Sequence, residues 1–338
     1  MSELEKQVPV VGISIGDING IGPEIVLKVF SDERMLQFCT PVIYASGKII
    51  AHYRKILNIN FNYHQTDSIQ GIQTGKNNII NCISHTIEAK PGELHKEAGD
   101  AAFQSLESSV NDLLSRKTDA LVTAPINKKI IQSDKFNFPG HTEYLTQKAE
   151  EEDSLMLMTS DKLKIGLVTA HIPLKDVAQN ITKDSIIKKA IQLDKTLKKD
   201  FHIPKPKLAI LGINPHAGDS GLLGKEEQEI IIPAIKELNE KGILAFGPYS
   251  SDGFFGNFSF KAYDGVLAMY HDQGLIPFKT IAFDLGVNYT AGLPIVRTSP
   301  DHGTAYEIAG KGIANENSFR EAVYLAIHIA NKRKKSIN

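Results

Sequence analysis

The 338-residue chain has no tryptophan and only two cysteines, Cys39 and Cys82. Their spacing fits no metal motif and their number builds no disulfide framework, so a reduced cytoplasm is the expected setting. Net charge is nearly absent: 38 basic side chains against 39 acidic ones leave −1, with a pI near 6.8. That balance lacks the electrostatic footprint of a nucleic-acid binder, and no nucleic-acid partner is expected. No apolar run approaches the roughly 18 residues that a membrane span needs, so no membrane partner is expected either. Residues 1–6 are charged and acidic, the wrong composition for a secretory signal. Internal repeats and low-complexity segments are missing too. The basic run Lys332-Arg333-Lys334-Lys335 stands alone, placed where it would complement the dipole of a closing helix.

A dinucleotide fingerprint is also lacking. Glycines at 16, 20 and 22 do not make G-x-G-x-x-G. Residues 16–22 could present amides to an anion at a helix start, or serve only as a tight strand-to-helix turn, and both readings stand. Gly12-Ile13-Ser14-Ile15-Gly16 matches the nucleophile-elbow pattern, but almost no chain precedes it to supply an oxyanion-hole loop. Ser14 also falls within strand alternation, so a serine hydrolase is rejected.

What is present is one arrangement used three times. Residues 163–170, 207–215 and 264–270 are apolar runs that end in His171, His216 and His271, the last followed by Asp272. Runs of this kind read as strands buried on both faces of a parallel sheet, whose carboxyl ends share one crevice. A single histidine at a strand end is ordinarily just a hydrogen-bonded polar residue. Three at equivalent ends predict a metal site with open positions for substrate. The nitrogen set suits zinc, cobalt or manganese; magnesium would want more oxygen, which Asp272 could supply.

Around these runs the chain alternates strand and helix, the pattern of an α/β protein with a largely parallel sheet. Strands are expected at 9–15, 41–45 and 119–123, with Pro23 in the first turn of the first helix. Further helices are expected at 48–57, 98–114, 183–199, 226–241 and 318–332, and Thr142 is expected to cap one running to about 149. The stretch after His271 reads as loop-rich. It carries Lys279, Asn288 and Arg297, ordinarily solvated surface groups, yet suited beside a metal to an anionic substrate such as a phosphate.

Residues 299–315, Ser-Pro-Asp-His-Gly-Thr-Ala-Tyr-Glu-Ile-Ala-Gly-Lys-Gly-Ile-Ala-Asn, resemble the signature of the metal-dependent β-decarboxylating dehydrogenases typified by isocitrate and isopropylmalate dehydrogenases. With Thr123-Ala124-Pro125-Ile126-Asn127-Lys128, Phe138-Pro139-Gly140-His141-Thr142-Glu143, Asn214-Pro215-His216-Ala217-Gly218 and Tyr270-His271-Asp272-Gln273-Gly274, the chain is similar to the 4-hydroxythreonine-4-phosphate dehydrogenase family of pyridoxal 5′-phosphate biosynthesis. The likeness runs from the first strand to Asn315.

The resemblance implies metal ligation by His171, His216 and His271, one of them crossing from the second subunit of a homodimer. It implies substrate contacts at His141, Thr142, Lys279, Asn288 and Arg297. Catalytic roles would fall to Asp252, Asp272 and Lys279, and NAD or NADP would bind at His302, Gly303 and Asn315. The implied fold is two α/β domains flanking a cleft, residues 1–140 plus 296–338 with the cofactor loop, and 141–295 with the histidines and dimer contacts. The implied reaction is NAD(P)-dependent oxidation of 4-(phosphooxy)-L-threonine at C3, then decarboxylation, assisted by one Zn, Co or Mg ion. A paralogue acting on phosphorylated threonate or erythronate is the nearer rival. A metal-dependent hydrolase or phosphate-binding transferase is the remoter one.

Overall fold

The computed structural model describes residues 8–84 and 86–335. The acidic opening stretch lies outside the described residues. Two compact α/β units are formed, Met1–Glu152 with Pro294–Asn338, and Asp153–Leu293.

The first unit begins with β1 (Val10–Ser14), α1 (Gly22–Phe30), β2 (Thr40–Ala45), α2 (Gly47–Leu57), β3 (His64–Thr66), β4 (Asn78–Asn81), α3 (Lys96–Leu114), β5 (Ala120–Thr123) and α4 (His141–Lys148). Pro23 does fall in the first turn of α1, where its missing N–H costs no hydrogen bond. Helix α2 ends on Asn58 at φ 52°, a left-handed cap that asparagine tolerates. The expected cap at Thr142 is not found. Helix α4 starts two residues earlier with Gly140 at its N-cap, and the Thr142 carbonyl accepts the Thr146 hydroxyl at 2.8 Å.

The second unit opens with an antiparallel hairpin, β6 (Leu155–Thr159) and β7 (Lys164–Leu167). There follow α5 (Val177–Asn180), α6 (Lys183–Lys199), β8 (Lys207–Leu211), α7 (Ile232–Glu240), β9 (Leu244–Tyr249), α8 (Ser251–Gly256), β10 (Gly265–Ala268), α9 (His271–Ala282) and β11 (Val287–Ala291). A Thr182–Ser185 capping box starts α6. Helix α9 overturns the loop-rich reading of the stretch after His271. Gly274 and Pro277 inside it disguise a helix in the sequence, although Pro277 is tolerated here within the second turn. The chain then returns to the first unit with β12 (Arg297–Pro300) and α10 (Asn317–Lys335).

In the first unit the strand order is β3-β4-β2-β1-β5-β12, every pairing parallel. In the second it is β11-β6-β7-β10-β8-β9, with β7-β10-β8-β9 parallel and β11-β6-β7 antiparallel. The expectation of an α/β fold on largely parallel sheets is met. Strands β2, β5 and β10 are buried at every residue, which is why, apart from Thr40 and Thr123 at strand ends, their sequences are apolar rather than alternating.

Candidate active site

The three histidine-bearing strands are consecutive neighbours, β7 beside β10 beside β8, and all run the same way. Their carboxyl ends therefore share one edge. None of the imidazoles lies within a strand. Strand β7 stops at Leu167, four residues before His171, and β8 stops at Leu211. His271 is the first residue of α9. Pairing outlasts the strands on one side: the Val168 amide donates to the Ala268 carbonyl at 2.9 Å, and the Thr169 amide to the Met269 carbonyl at 3.1 Å. This brings His171 and His271 together, with ring centroids 5.8 Å apart. Both line a cavity of about 480 Å³ with Asp272, Tyr270, Ile172 and Leu174. His271 Nδ1 lies 2.7 Å from the Asp272 carboxylate, which leaves Nε2 as the nitrogen available to a ligand.

His216 stands apart from this cavity. It opens a run of left-handed residues, His216, Ala217, Gly218, Asp219 and Ser220, all with positive φ. The carboxylate of Glu227, 2% exposed, anchors the start of that turn by accepting the Ile213 and Asn214 amides, each at 2.8 Å. Asp252 lies near His216. Its carboxyl is held below the usual range first by the Ser250 hydroxyl, then by the Gly253 amide, and by His216. Among the described residues, no group of three or more His, Cys, Asp or Glu side chains is close enough to hold a metal ion. The two imidazoles at one cavity suit the donor preference of a borderline divalent metal, but the third imidazole is not assembled with them.

Gln273 was not singled out in the sequence, yet it ties two of these strand ends together. Its Oε1 accepts the Met269 amide at 2.6 Å, and its Nε2 donates to the Gly212 carbonyl at 2.5 Å. Lys279 lies on α9, not in a loop as expected. Asn288 is on β11, and its Oδ1 is buried with no hydrogen-bond partner among the described residues.

In the first unit a second constellation forms where β5, β12 and α4 meet. Arg297, at the start of β12, is 2% exposed. Its Nε and Nη2 both donate to the Thr123 hydroxyl, at 3.0 and 2.6 Å. Burial pushes its guanidinium down to about 9, against the pull of Glu143. It remains charged at neutral pH. His141, at the start of α4, is driven well below the usual histidine range by burial, then by Arg297 and Lys128. Its Nε2 is buried without a partner among the described residues. A neutral imidazole, a desolvated guanidinium and an ammonium thus converge, the composition of an anion pocket. Phe136, Phe138 and Tyr144 pack ring against ring beneath α4 and fix its position. Thr123 and Lys128 bound a segment that carries the family resemblance, but that segment assigns them no role.

The loop over residues 301–315 rests on the opening turn. The Ile21 amide donates to the Thr304 carbonyl at 2.9 Å, and the Tyr306 hydroxyl donates to Asp17. A side chain at Gly20 would collide with Thr304, and one at Gly16, φ +71°, with Pro125. These glycines are accounted for by close packing of the chain on itself. His302 Nδ1 lies 3.2 Å from the Gly303 carbonyl, and Gly303 has open space where a side chain would begin. Asn315 Oδ1 accepts the Asn317 amide at 2.9 Å, a local turn at the start of α10.

A crystal structure of isocitrate dehydrogenase from Methylococcus capsulatus shares the fold, with TM-score 0.50 at 11% identity over 98% of this chain and 88% of that one. The fold class is thus isocitrate dehydrogenase-like. Within it, the chain belongs to the family described as "Pyridoxal phosphate biosynthetic protein PdxA", whose pattern it matches over residues 37–326. A 4-hydroxythreonine-4-phosphate dehydrogenase from Bacteroides thetaiotaomicron is 49% identical over 326 residues, covering 96% of this chain and 90% of the relative. A D-threonate 4-phosphate dehydrogenase from Cupriavidus necator is 37% identical over 341 residues, covering 98% of this chain and 100% of the relative. The crystal structure of 4-hydroxythreonine-4-phosphate dehydrogenase from Klebsiella pneumoniae superposes with TM-score 0.85 at 33% identity, covering 97% of this chain and 99% of that one.

Proposed function

We propose that the chain oxidises 4-(phosphooxy)-L-threonine at C3 with NAD⁺ or NADP⁺ and releases CO₂, giving 3-amino-2-oxopropyl phosphate for pyridoxal 5′-phosphate synthesis. One observation carries the reading. His171 and His271 reach one cavity from neighbouring parallel strands, in a chain similar over nearly its whole length to 4-hydroxythreonine-4-phosphate dehydrogenases.

When bound, a divalent metal (zinc, cobalt or magnesium) would acidify the C3 hydroxyl and polarise the carbonyl it becomes, and the nicotinamide would take the hydride. The chain's own residues do the rest. Asp272 orients His271 through its Nδ1. Asp252, held ionised, is a weak base suited only to a hydroxyl already made acidic. Arg297, braced by Thr123, and Lys128 hold the substrate's anionic groups, while His141 and Thr142 hydrogen-bond to it without adding charge. Lys279, on α9, and Asn288, on β11, are assigned further substrate contacts. Oxidation leaves a β-keto acid, which loses CO₂ as its bonding pair moves into the adjacent carbonyl. His302, Gly303 and Asn315 belong to the loop assigned to the dinucleotide.

The enzyme acts as a cytoplasmic homodimer, with His216 reaching the metal from the second copy. Exposed Ile172, Leu174, Leu222, Ile276 and Phe283 in the second unit support a covered face there. Both cysteines are free thiols, each pushed up to about 12 by burial, consistent with a reducing setting. Dehydrogenation of a phosphorylated threonate is the second reading, favoured by the Cupriavidus necator relative. Reduction of NAD⁺ or NADP⁺ by purified protein with 4-(phosphooxy)-L-threonine and Zn²⁺, abolished by a chelator, tests the main one.

A further inference from the structure

The loop between β12 and α10 has no regular element over residues 309–316. Apolar packing alone does not fix its path: Gly312 has no side chain and Ile313 is 66% exposed. An ion pair on α1 holds it instead. Glu24, in the first turn of α1, has a fully shielded side chain, 0% exposed, and pairs with Lys28 one turn on at 2.9 Å. A buried carboxylate must be met by donors, and here the loop provides them. Glu24 Oε1 accepts the Ala314 amide at 2.8 Å, and Oε2 accepts the Gly312 amide at 3.2 Å. Lys28 Nζ donates to the Gly312 carbonyl at 3.0 Å and the Ala314 carbonyl at 2.6 Å. One i,i+4 pair thus engages both N–H and C=O of two loop residues nearly 290 positions away. Gly312 sits at φ +76°, a left-handed conformation that favours glycine.

We infer that Glu24 and Lys28 are positioning residues that fix the dinucleotide loop in its binding-ready path. The inference rests on reading residues 301–315 as the cofactor loop. A loop ordered before the ligand arrives loses less conformational freedom on binding, so the pair contributes to dinucleotide affinity without touching it. It has no part in the chemistry, and its loss leaves the rate at saturating dinucleotide intact.

The test titrates NAD⁺ and NADP⁺ into wild type, Glu24→Gln, Lys28→Met and the surface control Lys48→Ala, followed by steady-state kinetics. Lys48, on α2, pairs with the exposed Glu88 at 2.7 Å. Losing charge-assisted bonds to the loop should raise Kd and KM for the preferred dinucleotide by about tenfold or more. kcat and the KM for the phosphorylated substrate should stay at the wild-type level, as should every constant of Lys48→Ala. A purely structural role would lower the melting temperature without this split. Should Glu24→Gln fail to fold, Lys28→Met, altered at the solvent-facing end of the pair, carries the same readout. Folded variants that bind the dinucleotide like wild type overturn the inference. A wild type that binds neither dinucleotide overturns the cofactor-loop reading first, and the inference with it.

Discussion

His171 and His271 stand with ring centroids 5.8 Å apart and planes tilted by 44°, each just beyond the end of one of two neighbouring parallel strands. Backbone register brings the two chain segments side by side. Ile165 pairs with Val266 and Leu167 with Ala268, and two further hydrogen bonds extend the pairing to Thr169 and Met269. The sheet thus fixes the backbone to within two residues of each imidazole.

Metal affinity should follow this geometry. Asp272→Ala, which removes only the carboxylate beside His271, should weaken Zn²⁺ binding by about 10–100-fold. His171→Ala and His271→Ala should weaken it more than Asp272→Ala does, with circular dichroism unchanged. Calorimetric titration of Zn²⁺ into metal-stripped protein reads all of them. Equal affinities across the set would remove the histidine pair from the metal site.

The anion pocket gives a prediction that needs no turnover. Inorganic phosphate should raise the melting temperature of wild type, by about 2.7 kcal/mol of stability at a hundredfold excess over its Kd. Arg297→Met should abolish that stabilisation. Thr123→Val, which removes the hydroxyl that receives both guanidinium bonds, should reduce it and raise the substrate KM by about tenfold. Thermal-shift titration checks both variants.

His141 fixes a pH dependence. Its folded-state pKa lies well below the ordinary 6.5, so below pH 6.5 the unfolded chain binds a proton that the native one refuses. Stability is thus lost as pH falls from 6.5 toward the folded value, by at most about 1.4 kcal/mol per pH unit. His141→Asn should flatten this decline. Melting curves between pH 7 and pH 5 that keep the wild-type slope in the variant would contradict the assignment.

The proposed homodimer is testable through its exposed apolar residues. Ile276 and Phe283 are 63% and 70% exposed on and beside α9. Ile276→Asp with Phe283→Asp should yield a folded monomer with little turnover, read by sedimentation equilibrium. A mixture of His216→Ala and His271→Ala proteins should regain activity that neither has alone, because exchanged subunits restore one intact ligand set.

Much of the architecture was legible because buried parallel strands leave continuous apolar runs. The runs before His171, His216 and His271 announced β7, β8 and β10, and their shared edge followed. Helix α9 was hidden because Gly274 and Pro277 break the helical pattern that tertiary packing restores. His216's left-handed turn left no local mark, since four of its five residues are not glycine. Thr123 beside Arg297 and Glu24 beside Ala314 are contacts across 174 and 290 positions, beyond any local pattern. The family resemblance drew attention to Arg297 and to the loop; Thr123 lies within one of its segments without a stated role, and Glu24 and Lys28 lie outside them.

The most direct measurement follows reduced dinucleotide and CO₂ together. Purified protein with Zn²⁺ or Mg²⁺ is given NAD⁺ or NADP⁺ and, separately, 4-(phosphooxy)-L-threonine, D-threonate 4-phosphate and D-erythronate 4-phosphate. Equal yields of reduced dinucleotide and CO₂ are expected with 4-(phosphooxy)-L-threonine, at a kcat/KM well above that of either sugar acid. Turnover confined to the sugar-acid phosphates, or no reduction with any of the three, would contradict the proposed function.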